Sequence, residues 1–130
     1  MESEQYWIYE DYFIFKPKFY DEINIYQNQL VNYKKLIFSD YDDYKICIET
    51  NNKFKVKYYH SIFKDSKFNQ PLANSLDKLI NLQQLTFGSY FNQLLGNSLD
   101  KLINLQKLTF GACFNQLPRK FLKIFWSSRK

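Results

Sequence analysis

Residues 68–90 read FNQPLANSLDKLINLQQLTFGSY, and residues 91–113 read FNQLLGNSLDKLINLQKLTFGAC, identical at 18 of 23 positions. A segment written twice with no linker marks a unit that packs against copies of itself. Within it, Leu76, Leu79 and Ile80 recur at spacings of three and four, which predicts one face of a short helix. Asn74 or Ser75 suits its N-cap, and Asp77 puts a carboxylate in the first turn. In LQQLTF, Leu85 and Phe87 alternate with Gln84 and Thr86, which predicts a strand. Gly88 and Ser89 then turn the chain, and Phe91 points back inward. Such a helix is too short to stand alone. Units of this size gain shelter by stacking, strand beside strand.

Fainter copies precede the clear pair. VNYKKLIFSDYDD (31–43) aligns with INLQKLTFGACFN (103–115), and FIFKPKFY (13–20) keeps the Phe-x-x-x-Phe spacing of Phe87 and Phe91. HSIFKDSKFN (60–69) leads into the first clear Phe-Asn. Strand-end aromatics at Phe15, Phe38, Phe63, Phe87 and Phe110 give steps of 23, 25, 24 and 23 residues, hence an expectation of five rungs. YKICIE (44–49) and KFKVKYY (53–59) alternate around Thr50-Asn51-Asn52 and read as a β-hairpin. The expected organisation is therefore 1–67 as degenerate N-terminal rungs or a cap, 68–113 as two clear repeats, and 114–130 as a partial repeat with a basic cap. The fold class is an α/β repeat, a leucine-rich-repeat-like solenoid of short parallel strands and short helices.

The unit resembles the FNIP repeat, a relative of the leucine-rich repeat. The resemblance is carried by Phe68-Asn69-Gln70, Phe91-Asn92-Gln93 and Phe114-Asn115-Gln116, and by Leu82, Leu85, Phe87 with Leu105, Leu108, Phe110. It covers residues 68 to about 122. The usual proline after Phe-Asn-Gln is Pro71 in one unit and Leu94 in the next, and the expected Leu-Pro appears only as Leu117-Pro118. The resemblance implies a protein-binding solenoid. Some relatives carry an N-terminal F-box, but residues 1–67 show no such pattern.

Composition sets further bounds. Phe and Tyr number 13 and 11 among 130 residues, ample for a core. The net charge of +5 lies in the tail, where Arg119, Lys120, Lys123, Arg129 and Lys130 meet no acid. No stretch has the roughly 20 apolar residues of a bilayer span. MESEQYWIYEDY lacks the pattern of a secretory signal, so an intracellular, cytoplasmic protein with Cys47 and Cys113 reduced, as small apolar fillers, is expected.

Candidate sites are few. Asn69, Asn92 and Asn115 suit a ladder that satisfies turn backbone in the next rung. Gln84, Thr86, Lys107 and Thr109 fall on the strand face opposite the leucines. On a solenoid that is the concave binding surface, so these four are candidates for partner contact, or else solvated positions free to drift. The tail mixes cations with Phe121, Leu122, Ile124, Phe125 and Trp126. That suits a cap over the last rung, or contact with nucleic acid or an anionic membrane. His60 is the only histidine, which leaves zinc sites and histidine triads without partners. SDYDDY (39–44) reads as an exposed acidic turn and lacks the EF-hand spacing. The expectation is a non-catalytic protein-interaction module with no cofactor, no metal and no small-molecule substrate. Nucleic acid or a membrane surface is the alternative partner through the tail, and a decayed repeat protein without function is the third reading.

Overall fold

Alternating apolar residues end in a phenylalanine four times along the chain, and each time they form a strand of one sheet. The computed structural model describes residues 3–51 and 63–116 and the strand at 126–128. It is a mixed α/β fold with a six-stranded sheet and few short helices. The strands are β1 (Tyr6–Tyr9), β2 (Tyr12–Phe15), β3 (Lys35–Phe38), β4 (Gln84–Thr86), β5 (Lys107–Phe110) and β6 (Trp126–Ser128). They lie side by side in sequence order. β1 and β2 form an antiparallel hairpin, and every later pairing is parallel. The register aligns Phe15 with Phe38, and Gln84, Leu85 and Thr86 with Lys107, Leu108 and Thr109.

That register stacks the phenylalanines. Phe15, Phe38, Phe87 and Phe110 form one column, with ring centroids 5.2, 5.5 and 5.6 Å apart and planes within 11°. Phe19, Phe68, Phe91 and Phe114 form a second, at 5.9, 5.9 and 6.1 Å. The columns also stack across, Phe15 on Phe19, Phe38 on Phe68, Phe87 on Phe91 and Phe110 on Phe114, at 3.8 to 4.2 Å. Strand spacing of about 4.8 Å puts rings of successive passes within offset-stacking range. Phe87 and Phe110 are wholly buried.

The segment expected to be a short helix is instead a run of three-residue turns. Asp77, Leu79 and Leu82 donate to the carbonyls of Asn74, Leu76 and Leu79, and Asp100, Leu102 and Leu105 do the same one unit later. Bonds from i to i+3 give three residues per turn. Leu76, Leu79, Leu82 and Leu85 therefore all point inward, as do Leu99, Leu102, Leu105 and Leu108. Ile80, expected on the inner face, rotates out and is 50% exposed; Ile103 is 77% exposed. Ser75 is no N-cap: it is buried, and its hydroxyl donates to the Asn24 side chain. Ahead of β3, the corresponding stretch is a 3-10 turn (Asn24–Tyr26) running into helix α1 (Gln27–Leu30).

The third expected rung is absent from the sheet. β3 pairs directly with β4, so consecutive strand-end phenylalanines Phe38 and Phe87 are 49 residues apart, 26 more than the 23-residue step. The extra chain enters after Phe38, and Phe68 returns to fill the place that Phe19, Phe91 and Phe114 fill elsewhere. Phe63 is no strand-end residue: it is 43% exposed and meets Tyr41 edge-on in an isolated antiparallel bridge. Residues 44–51 are helix α2, not the first arm of a hairpin, while 53–59 lie outside the described residues. Packing on the sheet decides this. Cys47 is buried, and Tyr44, Ile46 and Ile48 pack with it against Trp7, Tyr12, Ile14, Ile37 and Tyr41, on the face opposite the phenylalanine columns. Asp40 joins the excursion to the sheet. It is buried, and its carboxylate Oδ1 accepts from the amides of Ser66 at 2.8 Å and Ser89 at 2.9 Å. The cluster SDYDDY is thus not simply an exposed acidic turn.

Asp40→Ala leaves two amides without their acceptor and is expected to lower unfolding free energy by about 3 kcal/mol, whereas Asp40→Asn, which keeps an acceptor, loses about half as much; urea melts measure both. The glycines give a second test. A Cβ on Gly111 would sit 2.3 Å from the Gly88 carbonyl oxygen, whereas one on Gly96 meets nothing within 4 Å. Ala73 and Gly96 occupy equivalent positions with φ of 47° and 50°. Gly111→Ala is expected to cost about 2 kcal/mol or more, and Ala73→Gly to gain about 0.5 kcal/mol by relieving a left-handed alanine.

Candidate interaction surface

The Phe-Asn-Gln triplets go into holding the passes together. The Asn69 amide oxygen accepts from the Asn92 backbone N–H at 2.9 Å, and the Asn92 amide oxygen from that of Asn115 at 3.0 Å. Gln93 Nε2 donates to the Asn69 carbonyl at 3.1 Å, and Gln70 Nε2 to the Tyr20 carbonyl at 2.9 Å. The expected asparagine ladder is present in this structural role. Just before each triplet, backbone pairing runs on past the strands. Lys67 N–H donates to Pro17, Tyr90 N–H to Ser66, and Cys113 N–H to Ser89. With their backbone fixed, the side chains at this position form an exposed column outside the phenylalanines: Lys18, Lys67, Tyr90 and Cys113. Cys113 is therefore exposed, not the apolar filler expected; Cys47 is buried, and both are free thiols.

The four candidates for concave contact lie elsewhere and are not open. Gln84 is 7% exposed, Thr86 and Thr109 are buried, and Lys107 is half-buried. Their face of the sheet is the one that α2 covers farther along, so it is not the bare concave surface expected. Gln84 Nε2 is buried with no hydrogen-bond partner among the described residues. In the neighbouring register position, Lys35 Nζ sits 4.6 Å from the Tyr12 ring centroid and 3.7 Å from Asp11. Arg119, Lys120, Lys123, Arg129, Lys130 and His60 lie outside the described residues. Of the tail, Trp126–Ser128 adds β6 beside β5.

What the structure does bring together is a group of lysines at the ends of the strands. Two clefts of about 290 and 350 Å³ share Pro17, Lys18 and Lys64; Lys16 and Asp42 complete one, Asp65 and Lys67 the other. Lys64 is held through its backbone N–H to the Asp40 carbonyl at 2.8 Å. Lys18 and Lys64 have no ion-pair partner among the described residues. Lys67 Nζ lies 4.5 Å from the Tyr90 ring centroid and 3.2 Å from its hydroxyl. Lys16 Nζ lies 5.2 Å from the ring centroid of Trp7. The phenol of Tyr26 is pushed above its ordinary range by burial and then by Tyr6 and Asp21. Sequence reasoning missed Lys18 and Lys67. Aligning Phe19, Phe68, Phe91 and Phe114, and not running the register through Phe63, puts them in one column with Tyr90 and Cys113.

No group of three or more metal-ligating side chains occurs among the described residues. Nor is any helix among them long and apolar enough to cross a membrane. Compared with known protein families, with curated proteins and with solved structures, the chain matches none.

The two columns differ in what they should tolerate. Asn92→Ala removes an acceptor from the ladder and is expected to cost about 1 kcal/mol in a denaturant melt, whereas Tyr90→Ala, on the exposed column, should stay within about 0.5 kcal/mol.

Proposed function

We propose that this chain is a leucine-rich-like solenoid of the FNIP-repeat kind and acts as a non-catalytic protein-interaction module. Parallel strands in sequence order, equivalent residues in register and stacked phenylalanines support the solenoid reading. The observation that carries the function is where the two clear repeats differ. The inward leucines and phenylalanines are unchanged between them. Of the five differing pairs, Pro71/Leu94, Ala73/Gly96 and Tyr90/Cys113 are exposed in both copies. A constant interior under an altered exterior is the pattern of a scaffold that presents side chains to a partner. Exposed residues away from structural features change stability little, so they are free to be used for recognition.

The test is affinity capture with the tagged full chain, followed by reconstitution with each purified candidate. The expected result is a saturable complex that Tyr90→Ala with Leu94→Ser weakens while the melting curve stays cooperative. Three results overturn the reading: no saturable protein complex, a broad non-cooperative melt, or binding only of nucleic acid or anionic vesicles that ends when Arg119, Lys120, Lys123, Arg129 and Lys130 become glutamine.

A further inference from the structure

We infer that the ridge of Lys18, Lys64 and Lys67, ending at Tyr90, docks an extended acidic segment of a partner protein. This rests on the interaction-module reading and adds the chemistry of the partner. The three lysines are exposed. Two of the ammonium groups project from backbone held by hydrogen bonds: Lys67 N–H is bonded to Pro17 at 2.8 Å and Lys64 N–H to Asp40 at 2.8 Å. Binding therefore orders side chains only, not loops. Lys18 and Lys67 sit on adjacent passes, about one strand spacing apart, the separation at which neighbouring acidic side chains of one peptide can each meet a lysine. Lys67 is aimed along the ridge by its contact with the Tyr90 hydroxyl. The Tyr90 ring, 41% exposed, offers an apolar edge beyond the last charge.

The clefts argue for a peptide over a nucleic acid. Asp42 lines one and Asp65 the other, interleaved with Lys16, Lys18, Lys64 and Lys67. A strand with a phosphate on every nucleotide would set charge against those carboxylates as well as against the lysines. A peptide can place its acids at the lysines and neutral residues between them. The cleft volumes, about 290 and 350 Å³, suit single side chains.

The test uses the full chain and a fluorescein-labelled peptide of alternating glutamate and glycine, with an oligouridylate of equal length beside it. The peptide should bind saturably at low salt and weaken as ionic strength passes about 0.15 M, where the Debye length falls to about 8 Å. Reversing the three charges together, K18E with K64E and K67E, should weaken it about tenfold or more. Neutralising the tail cations should leave it unchanged. Should the reversed chain melt early, the corresponding glutamine triple gives the same readout without added repulsion. The inference is overturned by no saturable peptide binding, by affinity that the triple variant leaves unchanged, or by oligouridylate binding more tightly than the peptide. Those results would remove the acidic partner alone; the interaction-module reading stands or falls on the capture experiment.

Discussion

The structure depends on face-to-face phenylalanine pairs repeated in register. Within one pass, Phe87 lies 4.0 Å from Phe91; between passes, each ring lies on its counterpart with planes nearly parallel. The second contact cannot form in an isolated pass, because the ring it needs belongs to the neighbour. The strand ladder, the turn backbone bonds and the asparagine ladder all follow from bringing those rings into line. The close approach of Gly111 to the Gly88 carbonyl is the local condition for it.

This dependence explains which departures from the repeat are tolerated. Phe19 is followed by Tyr20 and Asp21, not Asn and Gln, yet the stack continues, because Gln70 reaches the Tyr20 backbone carbonyl. Gln27 stands where the clear units have Leu76 and Leu99, and compensates by donating to the Ser75 carbonyl. The phenylalanines of β2 to β5 have no such substitute, and each of those four passes keeps both; the column ends at β6, where Ser128 stands beside Phe110.

Much of the fold was legible in residues 68–113, because two nearly identical copies separate what is shared from what drifts. Strands β2 and β3 were legible too, from the Phe-x-x-x-Phe spacing and from the match of 31–43 to 103–115. The turns of 74–82 were not. Nine residues cannot distinguish a period of 3.6 from one of three, and Ile80 fits the first while Leu82 fits the second. The excursion after Phe38 was misread because its length falls close to that of a repeat, which made Phe63 look like a strand end. YKICIE alternates like a strand, but burial of Cys47 against the tyrosines and isoleucines of the sheet's other face overrides the local pattern. The same misalignment hid the candidate surface, since Lys67 falls into the exposed column only when Phe68 is paired with Phe19.

The excursion itself has an implication for how such chains can diversify. A connection of three residues between paired phenylalanines has become one of 29, between Phe38 and Phe68, with the stack uninterrupted. Closing a flexible loop grows more costly only logarithmically with its length, so three doublings add about 2 kcal/mol. The junction at Ser39 and Lys67 therefore behaves as a socket. New sequence can be spliced there, even a small foreign domain, and selection can act on the insert while the array around it keeps its pitch.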